Sequence, residues 1–193
     1  GDVYKRQEFV QEDIRYTGEA STSRFLLNQQ VHALYTLAGM PIGDFSFKAG
    51  VRAEQVFINS RLKFPVDSLT QNRYFKIYPT LHLGYELNEN NGLSLSYSKR
   101  INRPDADELN PNPEYSDPRN AEAGNPNLKP EQIHSVELGY QWRQPVAEIT
   151  NAIFYRYEYD AFTTIYSTIS DSVVLRTVSN LNTQKSLGYE IVF

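Results

Sequence analysis

Hydrophobic and polar residues alternate with a period of two along most of this chain. The clearest case is residues 93–98, which read Leu-Ser-Leu-Ser-Tyr-Ser. A period of two places successive side chains on opposite faces of a β-strand. The pattern therefore predicts about seven strands, most of them longer than the ~5–6 residues typical of soluble sheets. Segments with this alternation are 31–39, 45–53, 81–87, 93–98, 135–142, 153–159 and 187–193.

The predicted connections alternate between short and long. Tight turns are expected at 40–44, 88–92 and 144–146. Long connections are expected at 59–73, 102–130 and 161–180, the last with a small hairpin that pairs Thr163–Ser167 with Val173–Thr177. In an up-and-down sheet, odd and even connections lie at opposite ends, so one end has tight turns and the other has large loops.

This asymmetry is typical of outer-membrane barrels, which have short periplasmic turns and long extracellular loops. The predicted fold class is all-β, an antiparallel up-and-down transmembrane β-barrel, represented here by a partial wall. Residues 1–193 are predicted to be part of a single barrel domain. A soluble β-sandwich also alternates apolar and polar residues, so it stays open as an alternative.

Composition narrows the classes of function. The chain has 193 residues, no cysteine and a net charge of −4. The absence of cysteine excludes disulfide scaffolds, thiol catalysis and cysteine zinc sites. No basic excess indicates a nucleic-acid partner, and no apolar run is long enough for a transmembrane helix. Tyrosine is abundant, with 14 residues, although the mean hydropathy is −0.54, which suits strands with one polar face.

The ends of the chain suggest a piece of a longer protein. No signal peptide precedes the first strand, and the last residues, Gly188–Phe193, still alternate. We expect a fragment cut at both ends, with residues 1–7 as a candidate for sequence foreign to the native gene. The open alternative is that Phe193 is a native C-terminus, since a final period-two strand ending in Phe resembles the terminal strand of outer-membrane barrels.

The longest connection contains six prolines, at positions 104, 111, 113, 118, 126 and 130. Proline removes a backbone donor and disfavours helix at the residue before it. We therefore expect a rigid, shaped loop without a β-ladder. A loop of this length is usually functional or disordered.

Several strings in and around this loop carry a resemblance to a known family. They are Tyr97–Pro104, Leu109–Pro111, Tyr115–Pro118, and the most specific one, Gly124-Asn125-Pro126-Asn127-Leu128-Lys129-Pro130-Glu131, which leads into Glu137-Leu138-Gly139-Tyr140. This stretch resembles the barrel of TonB-dependent outer-membrane receptors, in particular the Bacteroidetes-type outer-membrane β-barrel family. We expect the GNPNLKPE string, Gly124 to Glu131, to have a structural role.

The resemblance implies a location in the bacterial outer membrane and capture of a nutrient by extracellular loops. It also implies several partners: outer-membrane lipid, a plug domain, the energy-coupling protein TonB, and a small-molecule, glycan or peptide ligand. No plug domain or TonB motif is present in these residues, and about seven strands cannot close a barrel of about 22 strands. A non-transporting barrel or surface adhesion protein that binds a partner through its loops is the alternative function.

The polar residues of the longest loop are the expected ligand-binding residues, on the strength of loop length and polarity alone: Arg103, Asp105, Asp107, Tyr115, Asp117 and Arg119. A second group is expected to form aromatic girdles at the membrane interfaces, where Tyr and Trp are favoured: Tyr85, Tyr97, Tyr140, Trp142, Tyr155 and Tyr157.

No motif for catalysis, cofactor binding or metal binding is found. The three histidines, His32, His82 and His134, lack the spacing of metal ligands. The acidic residues between 105 and 122 could bind calcium, but their spacing does not match an EF-hand. A solvated loop is the simpler interpretation. We predict no enzyme activity, no cofactor and no metal.

Overall fold

The computed structural model describes residues 6–15, 25–63, 67–170 and 172–193, and for residues 6–15 it describes the backbone course only. Residues 1–5, most of the segment suspected to be foreign, lie outside the described residues. The elements follow in chain order: β1 (Arg6–Arg15), β2 (Phe25–Ile42), β3 (Phe45–Leu62), β4 (Ser68–Asn88), β5 (Asn91–Asn102), α1 (Ala106–Leu109), β6 (Glu114–Asp117), β7 (Asn120–Glu122), β8 (Glu131–Gln144), β9 (Ala147–Ser170) and β10 (Val173–Val192).

The long strands form one antiparallel wall. Their order is β1-β2-β3-β4-β5-β8-β9-β10, so each long strand pairs with its neighbour in the chain. The predicted all-β up-and-down wall is confirmed, with β1 as an additional strand that the alternation does not predict. The sequence of β1, RQEFVQEDIR, is too rich in charged residues to show a clear apolar phase.

Two-residue turns close one end of the wall. They are Gly43-Asp44, Glu89-Asn90 and Pro145-Val146, so the three predicted tight turns are confirmed. Gly43 has a φ of 60°, a left-handed conformation that glycine adopts without a Cβ clash. We call this end the turn end, and the opposite end the loop end.

The loop end differs from the prediction in two places. Strands β3 and β4 continue through most of the expected 59–73 loop, with Leu62 paired to Ser68. Strands β9 and β10 likewise continue through 161–180, so the predicted small hairpin is the far end of these two strands, with Ser167 paired to Leu175. The apolar–polar alternation weakens in these segments because they extend beyond the apolar zone. Without alternation, these strand residues were predicted to be loops.

Strand register assigns every side chain of the wall to one of two faces. Directly opposed residues of an antiparallel pair lie on the same face. The face with Val56 and Ile58 packs against the long loop, and we call it the inner face. The outer face carries large hydrophobic side chains that are exposed: Leu34, Met40, Ile42, Phe45, Phe47, Val51, Phe57, Leu69, Phe75, Ile77, Leu83, Leu87, Leu93, Leu95, Val136, Leu138, Tyr140, Ile153, Tyr155, Leu187, Tyr189, Ile191 and Phe193.

The inner face is polar toward the turn end. Arg143 Nη1 lies 3.3 Å from Glu86 Oε2, across two strand boundaries. Arg143 also bonds Gln141, which bonds Glu148. Hydrogen-bonded polar side chains suit a hydrated lumen. An exposed apolar outer face suits lipid, since a soluble protein rarely exposes an apolar patch of this extent. The soluble sandwich is therefore wrong: a single sheet presents its apolar side outward instead of burying it against a second sheet.

Pro79, in the middle of β4, marks the point where the β4–β5 ladder ends. Pro79 lies within β4 and opposes Val51 of β3. The ladder between β4 and β5 ends at Thr80 and Ser98, the pair beside Pro79. Since proline has no backbone N–H to donate, it falls where β5 turns away from β4. The space beyond this point is filled by the long loop.

Candidate functional site

The loop of residues 103–130 folds inward against the inner face at the loop end. Leu109 and Leu128, both nearly fully buried, pack with residues of β2 and β3 into a hydrophobic cluster. Phe162 of β9 and Val178 of β10 pack against the same cluster from the other side of the loop. The buried members of the cluster are Phe25, Leu27, Val56, Ile58, Ala106, Leu109 and Leu128.

An ion pair fixes the start of the loop to the wall. Arg103 Nη2 bonds Glu54 Oε2, and Arg52 Nε lies 2.6 Å from Glu54 Oε1. The Glu54 side chain is only 3% exposed, so both guanidinium groups compensate for its loss of hydration. The hydroxyls of Tyr74 and Tyr78 are buried and have no hydrogen-bond partner among the described residues.

A single turn of helix follows this ion pair. Asp105 is the N-cap of α1, and its N–H donates to Glu108 Oε2 at 2.9 Å. Asp107 lies on the exposed side of the same turn. The capping residue and Glu108 therefore stabilise one helical turn between two prolines.

The GNPNLKPE string holds the end of the loop in place through backbone contacts. Gly124 donates its N–H to the Asn110 carbonyl at 2.7 Å, and Asn125 donates to the Glu108 carbonyl at 2.6 Å. A Cβ on Gly124 would lie 2.4 Å from the Asp107 carbonyl oxygen. Glycine is required because the two backbones approach this closely.

The rest of the string joins four strands. Asn125 Nδ2 donates to the Val178 carbonyl at 3.1 Å, and the Pro126 carbonyl accepts from Asn72 Nδ2 at 3.0 Å. Glu131 accepts from Asn102 Nδ2 at 2.7 Å and from the Phe162 N–H at 2.5 Å. The string therefore connects β4, β5, β9 and β10, which gives a physical reason for its residue types.

Lys129 and Asn180 form a reciprocal pair at the loop end. The Lys129 N–H donates to Asn180 Oδ1 at 2.8 Å, and Asn180 Nδ2 donates to the Lys129 carbonyl at 2.7 Å. Asn180 Nδ2 also lies 2.6 Å from the Asp160 carbonyl. Asp160 has a φ of 57° and marks a bulge where β9 changes register with β10.

A small hairpin within the loop reaches the edge of the wall. Strand β7 pairs in parallel with β10, and β6 pairs with β7. The expectation of a loop without a β-ladder is therefore wrong, because the prolines at 113, 118 and 126 lie outside these short strands and leave their backbone donors intact. The Asp117 carboxylate accepts from the Arg119 N–H at 2.7 Å and from Asn120 Nδ2 at 2.8 Å. The Asn120 side chain and then the Arg119 N–H lower the pKa of Asp117 below its ordinary value. Tyr115 is 61% exposed.

A cavity of about 480 Å³ lies between α1, the hairpin and β10. Carboxylate and amide side chains line most of it: Asp107, Glu108, Asn110, Asn112, Glu114 and Glu122. We call it the acidic cleft. Glu122 is paired with Arg176 of β10, and Glu108 accepts from the Asp105 N–H. Asp107 and Glu114 are therefore the two carboxylates of the cleft with neither an ion pair nor a side-chain hydrogen bond among the described residues. The cleft favours cationic or hydrogen-bond-donating groups.

The structure divides the six expected ligand-binding residues into two groups. Arg103, Asp105 and Asp117 hold the loop together through the bonds described above. Asp107 lines the acidic cleft, and Tyr115 and Arg119 have exposed side chains on the hairpin. The acidic residues are visible in the sequence, but local spacing does not place Glu114 beside Glu122, because the pairing of β6 with β7 brings them opposite each other.

The expected girdle aromatics all have outer-face register positions. Tyr85, Tyr140 and Trp142 lie toward the turn end, where Tyr85 stacks on Phe45 with ring centroids 4.4 Å apart. Tyr97, Tyr155 and Tyr157 lie toward the loop end. The two aromatic groups are about 20 Å apart along the strands, because Tyr157 opposes His134, which lies six residues before Tyr140 on β8. The girdle function stays a prediction.

Other kinds of site are not seen. None of the described residues form a group of three or more His, Cys, Asp or Glu side chains that could hold a metal ion. Within the same residues, no helix has the length and apolar character needed to cross a membrane.

Comparison with known proteins gives a family and a fold. A family model described as outer membrane protein beta-barrel family matches residues 2–193. No curated protein sequence matches the chain. Among solved structures, the hemophore receptor HasR of Serratia marcescens, solved with its hemophore HasA and heme, has a TM-score of 0.72 and 15% identity, covering 98% of this chain and 38% of its own.

Two further structures share the wall. The iron transporter FrpB of Neisseria meningitidis has a TM-score of 0.59 and 14% identity, covering 98% of this chain and 32% of its own. The siderophore receptor PirA of Pseudomonas aeruginosa has a TM-score of 0.55 and 14% identity, covering 98% of this chain and 46% of its own. The chain therefore spans less than half the length of each of these receptors.

Proposed function

The chain belongs to the outer membrane protein beta-barrel family, and from that premise we propose that it forms part of the barrel of a TonB-dependent receptor that takes up a nutrient. The observation that carries the proposal is the wall with two different faces. Its outer face is apolar and exposed, its inner face is polar, and a braced loop folds over the inner face at the loop end. A surface receptor needs this combination of a lipid-facing exterior, a hydrated path and an ordered capture loop.

The acidic cleft supports a specific site for capture. It lies at the loop end, which is the extracellular end in barrels of this kind. Asp107 and Glu114 offer carboxylates toward the cleft. Because Arg103, Asp105 and Asp117 hold the loop, we assign the first contact with ligand to the cleft and to the exposed Tyr115 and Arg119. The plug domain and TonB would act in the complete protein, outside these residues.

The printed names of the similar receptors refer to heme, iron and siderophores, so iron compounds are the first probes. A strain that lacks the complete gene would be supplied with one of two probes as its only iron source: a ferric siderophore that carries a free ammonium group, which suits the acidic cleft, or hemin. The wild-type gene should restore growth and uptake of radiolabelled iron. The D107N/E114Q double variant keeps side-chain volume and an acceptor oxygen at each position but removes both charges. It should reduce uptake about tenfold, because a hydrogen bond to a neutral acceptor is about half as strong as one to a carboxylate.

The matched control is E86Q/E148Q, which removes two carboxylates from the inner face at the turn end. It should retain wild-type uptake if recognition occurs in the cleft. Surface amounts of each variant would be compared by the heat-dependent gel mobility of the assembled barrel. Normal uptake by the cleft variant would overturn the cleft assignment. A wild-type gene that supports no uptake of either probe, and that instead mediates cell adhesion, would favour the non-transporting barrel.

A further inference from the structure

Charged side chains are distributed unequally between the two faces of the wall. In β2–β5 and β8–β10, every glutamate has an inner-face register position: Glu54, Glu86, Glu131, Glu137, Glu148, Glu158 and Glu190. Among the register-paired residues of these strands, the outer face has no carboxylate and carries only cations: Arg61, Arg73, Lys99 and Lys185. All four lie toward the loop end. Asp160, at the bulge of β9, has no register partner and lines a cavity with Leu128 and Lys129 of the long loop.

Two of these cations share one row across four strands. Lys99 opposes His134, His134 opposes Tyr157, and Tyr157 opposes Lys185. We call these four residues the lysine row. Three strand spacings separate the lysines, about 14 Å. Arg61 is different, because its guanidinium bonds Asp67 at 2.5 Å and 2.8 Å, whereas neither lysine has a carboxylate partner among the described residues.

Aromatic rings hold the lysines at the sheet surface. Lys99 Nζ lies 5.9 Å from the centroid of the Tyr159 ring, and Lys185 Nζ lies 5.9 Å from that of Tyr157. The His134 ring stacks on Tyr159 with centroids 5.7 Å apart, and His134 Nδ1 is 2.9 Å from the Tyr97 hydroxyl. Ring faces attract ammonium groups, so both lysines are ordered beside the strands.

The lysine row lies at the loop-end boundary of the apolar outer face. The next row toward the turn end contains Tyr97, Val136, Tyr155 and Leu187, in which the last three are exposed hydrophobic or aromatic side chains. A lipid whose acyl chains cover that apolar zone would bring its headgroup to the level of the lysines. Both lysines would attract an anionic headgroup, and no register-paired carboxylate on the same face competes with the headgroup for them.

We propose that the lysine row is a binding site for the phosphorylated headgroup of a lipid in the extracellular leaflet. Lys99 and Lys185 each contact phosphate oxygens, while the tyrosines supply ring faces and hydroxyl donors at the interface. A zwitterionic headgroup gains less here, because its own cation meets the same positive row. The proposal needs only the outer-membrane wall, and it is independent of which ligand the receptor takes up.

The test uses the complete receptor, purified in detergent and reconstituted with equal amounts of two lipids that share their acyl chains. One is a phosphorylated glycolipid, and the other is the same glycolipid after enzymatic removal of its phosphates. Native mass spectrometry would count the lipids that remain bound. The wild type should retain the phosphorylated lipid preferentially. K99Q/K185Q should reduce that preference about 25-fold, about fivefold for each lysine near a charged membrane surface.

Two further variants make the result specific. K99R/K185R keeps the charges and should retain at least half of the preference. K48Q/K76Q removes two inner-face lysines and should bind lipid like the wild type. Equal retention of both lipids by the wild type, or an unchanged preference in K99Q/K185Q, would overturn the proposal and leave the lysines as general interface anchors. If K99Q/K185Q fails to assemble, the single variants K99Q and K185Q give the same comparison.

Discussion

Arg103 at the start of the long loop forms an ion pair with Glu54, a buried residue of β3 that lies 49 positions earlier in the chain. Glu54 lies on the inner face between Val56 and Arg52, and its other oxygen accepts from Arg52. The pair therefore links the capture loop to the barrel wall at the point where the loop leaves β5. Arg103 was expected to bind ligand because it is a polar residue of the loop, but its guanidinium is engaged by Glu54 and so has a structural role.

Replacing Arg103 with alanine should release the start of the loop. Arg52 alone would then compensate Glu54, and the free energy of loop opening should fall by about 3 kcal/mol, the lower range for breaking a buried ion pair. Amide hydrogen exchange of residues 103–110 in the complete receptor should become about 100-fold faster. Arg119→Ala is the matched control, because Arg119 has an exposed side chain in the same loop. Equal exchange in the two variants would contradict the anchoring role.

Asn180 should be a second anchor, since it satisfies two carbonyls and one N–H at once. Asn180→Ala leaves these groups without partners, which should lower the stability of the loop end by about 1–3 kcal/mol. Limited proteolysis of the assembled receptor should then cut between residues 126 and 131 faster. Asn182→Ala, which loses only a contact within its own strand to the Thr183 N–H, should not change the rate. Unchanged cleavage in the Asn180 variant would refute the assignment.

The wall was predictable from sequence, because lipid on one side and water on the other impose strict alternation. Leu93–Ser98 shows this alternation and forms β5 with Leu95 opposite Leu138. The strand ends were less predictable: beyond the apolar zone both faces meet water or the loop, and residues 161–180 lose the pattern. The loop site depends on non-local pairings such as Asn72 with Pro126, and local spacing carries no information about them.

Gly124 should tolerate no side chain. An added Cβ would meet the backbone oxygens of Asp107 and Glu108 at 2.4 and 2.5 Å, and neither backbone can move without opening the cleft. Gly124→Ala should therefore cost about 2–3 kcal/mol by forcing a backbone shift and reduce the protection of the Asn125 amide. Gly92→Ala is the control, since its Cβ would meet only the flexible end of the Glu86 side chain at 3.2 Å. Similar protection in both variants would contradict the close-approach argument.

The stability of the hairpin turn at Asp117 should decrease when the pH is lowered into the acidic range. Hydrogen bonds from Asn120 and from the Arg119 N–H lower the pKa of the folded Asp117 carboxyl below its ordinary value of about 3.9. The stabilisation is therefore fully present above about pH 4 and is lost as the pH falls through the lowered folded pKa. Exchange of the Arg119 amide, corrected for its intrinsic rate, should be equally slow at about pH 5 and pH 7, and faster near pH 2.5.

The turn at Asn125 provides an internal control for this pH experiment. The Asn127 N–H donates to Asn125 Oδ1 at 3.0 Å, a similar local turn whose acceptor does not titrate. Its protection should stay constant over the range in which the Asp117 turn opens, and Asp117→Asn should remove the pH dependence at Arg119. Loss of protection at both turns together would indicate that acid opens the whole loop. In that case the carboxylate of Asp117 would not be the titrating group that controls the hairpin.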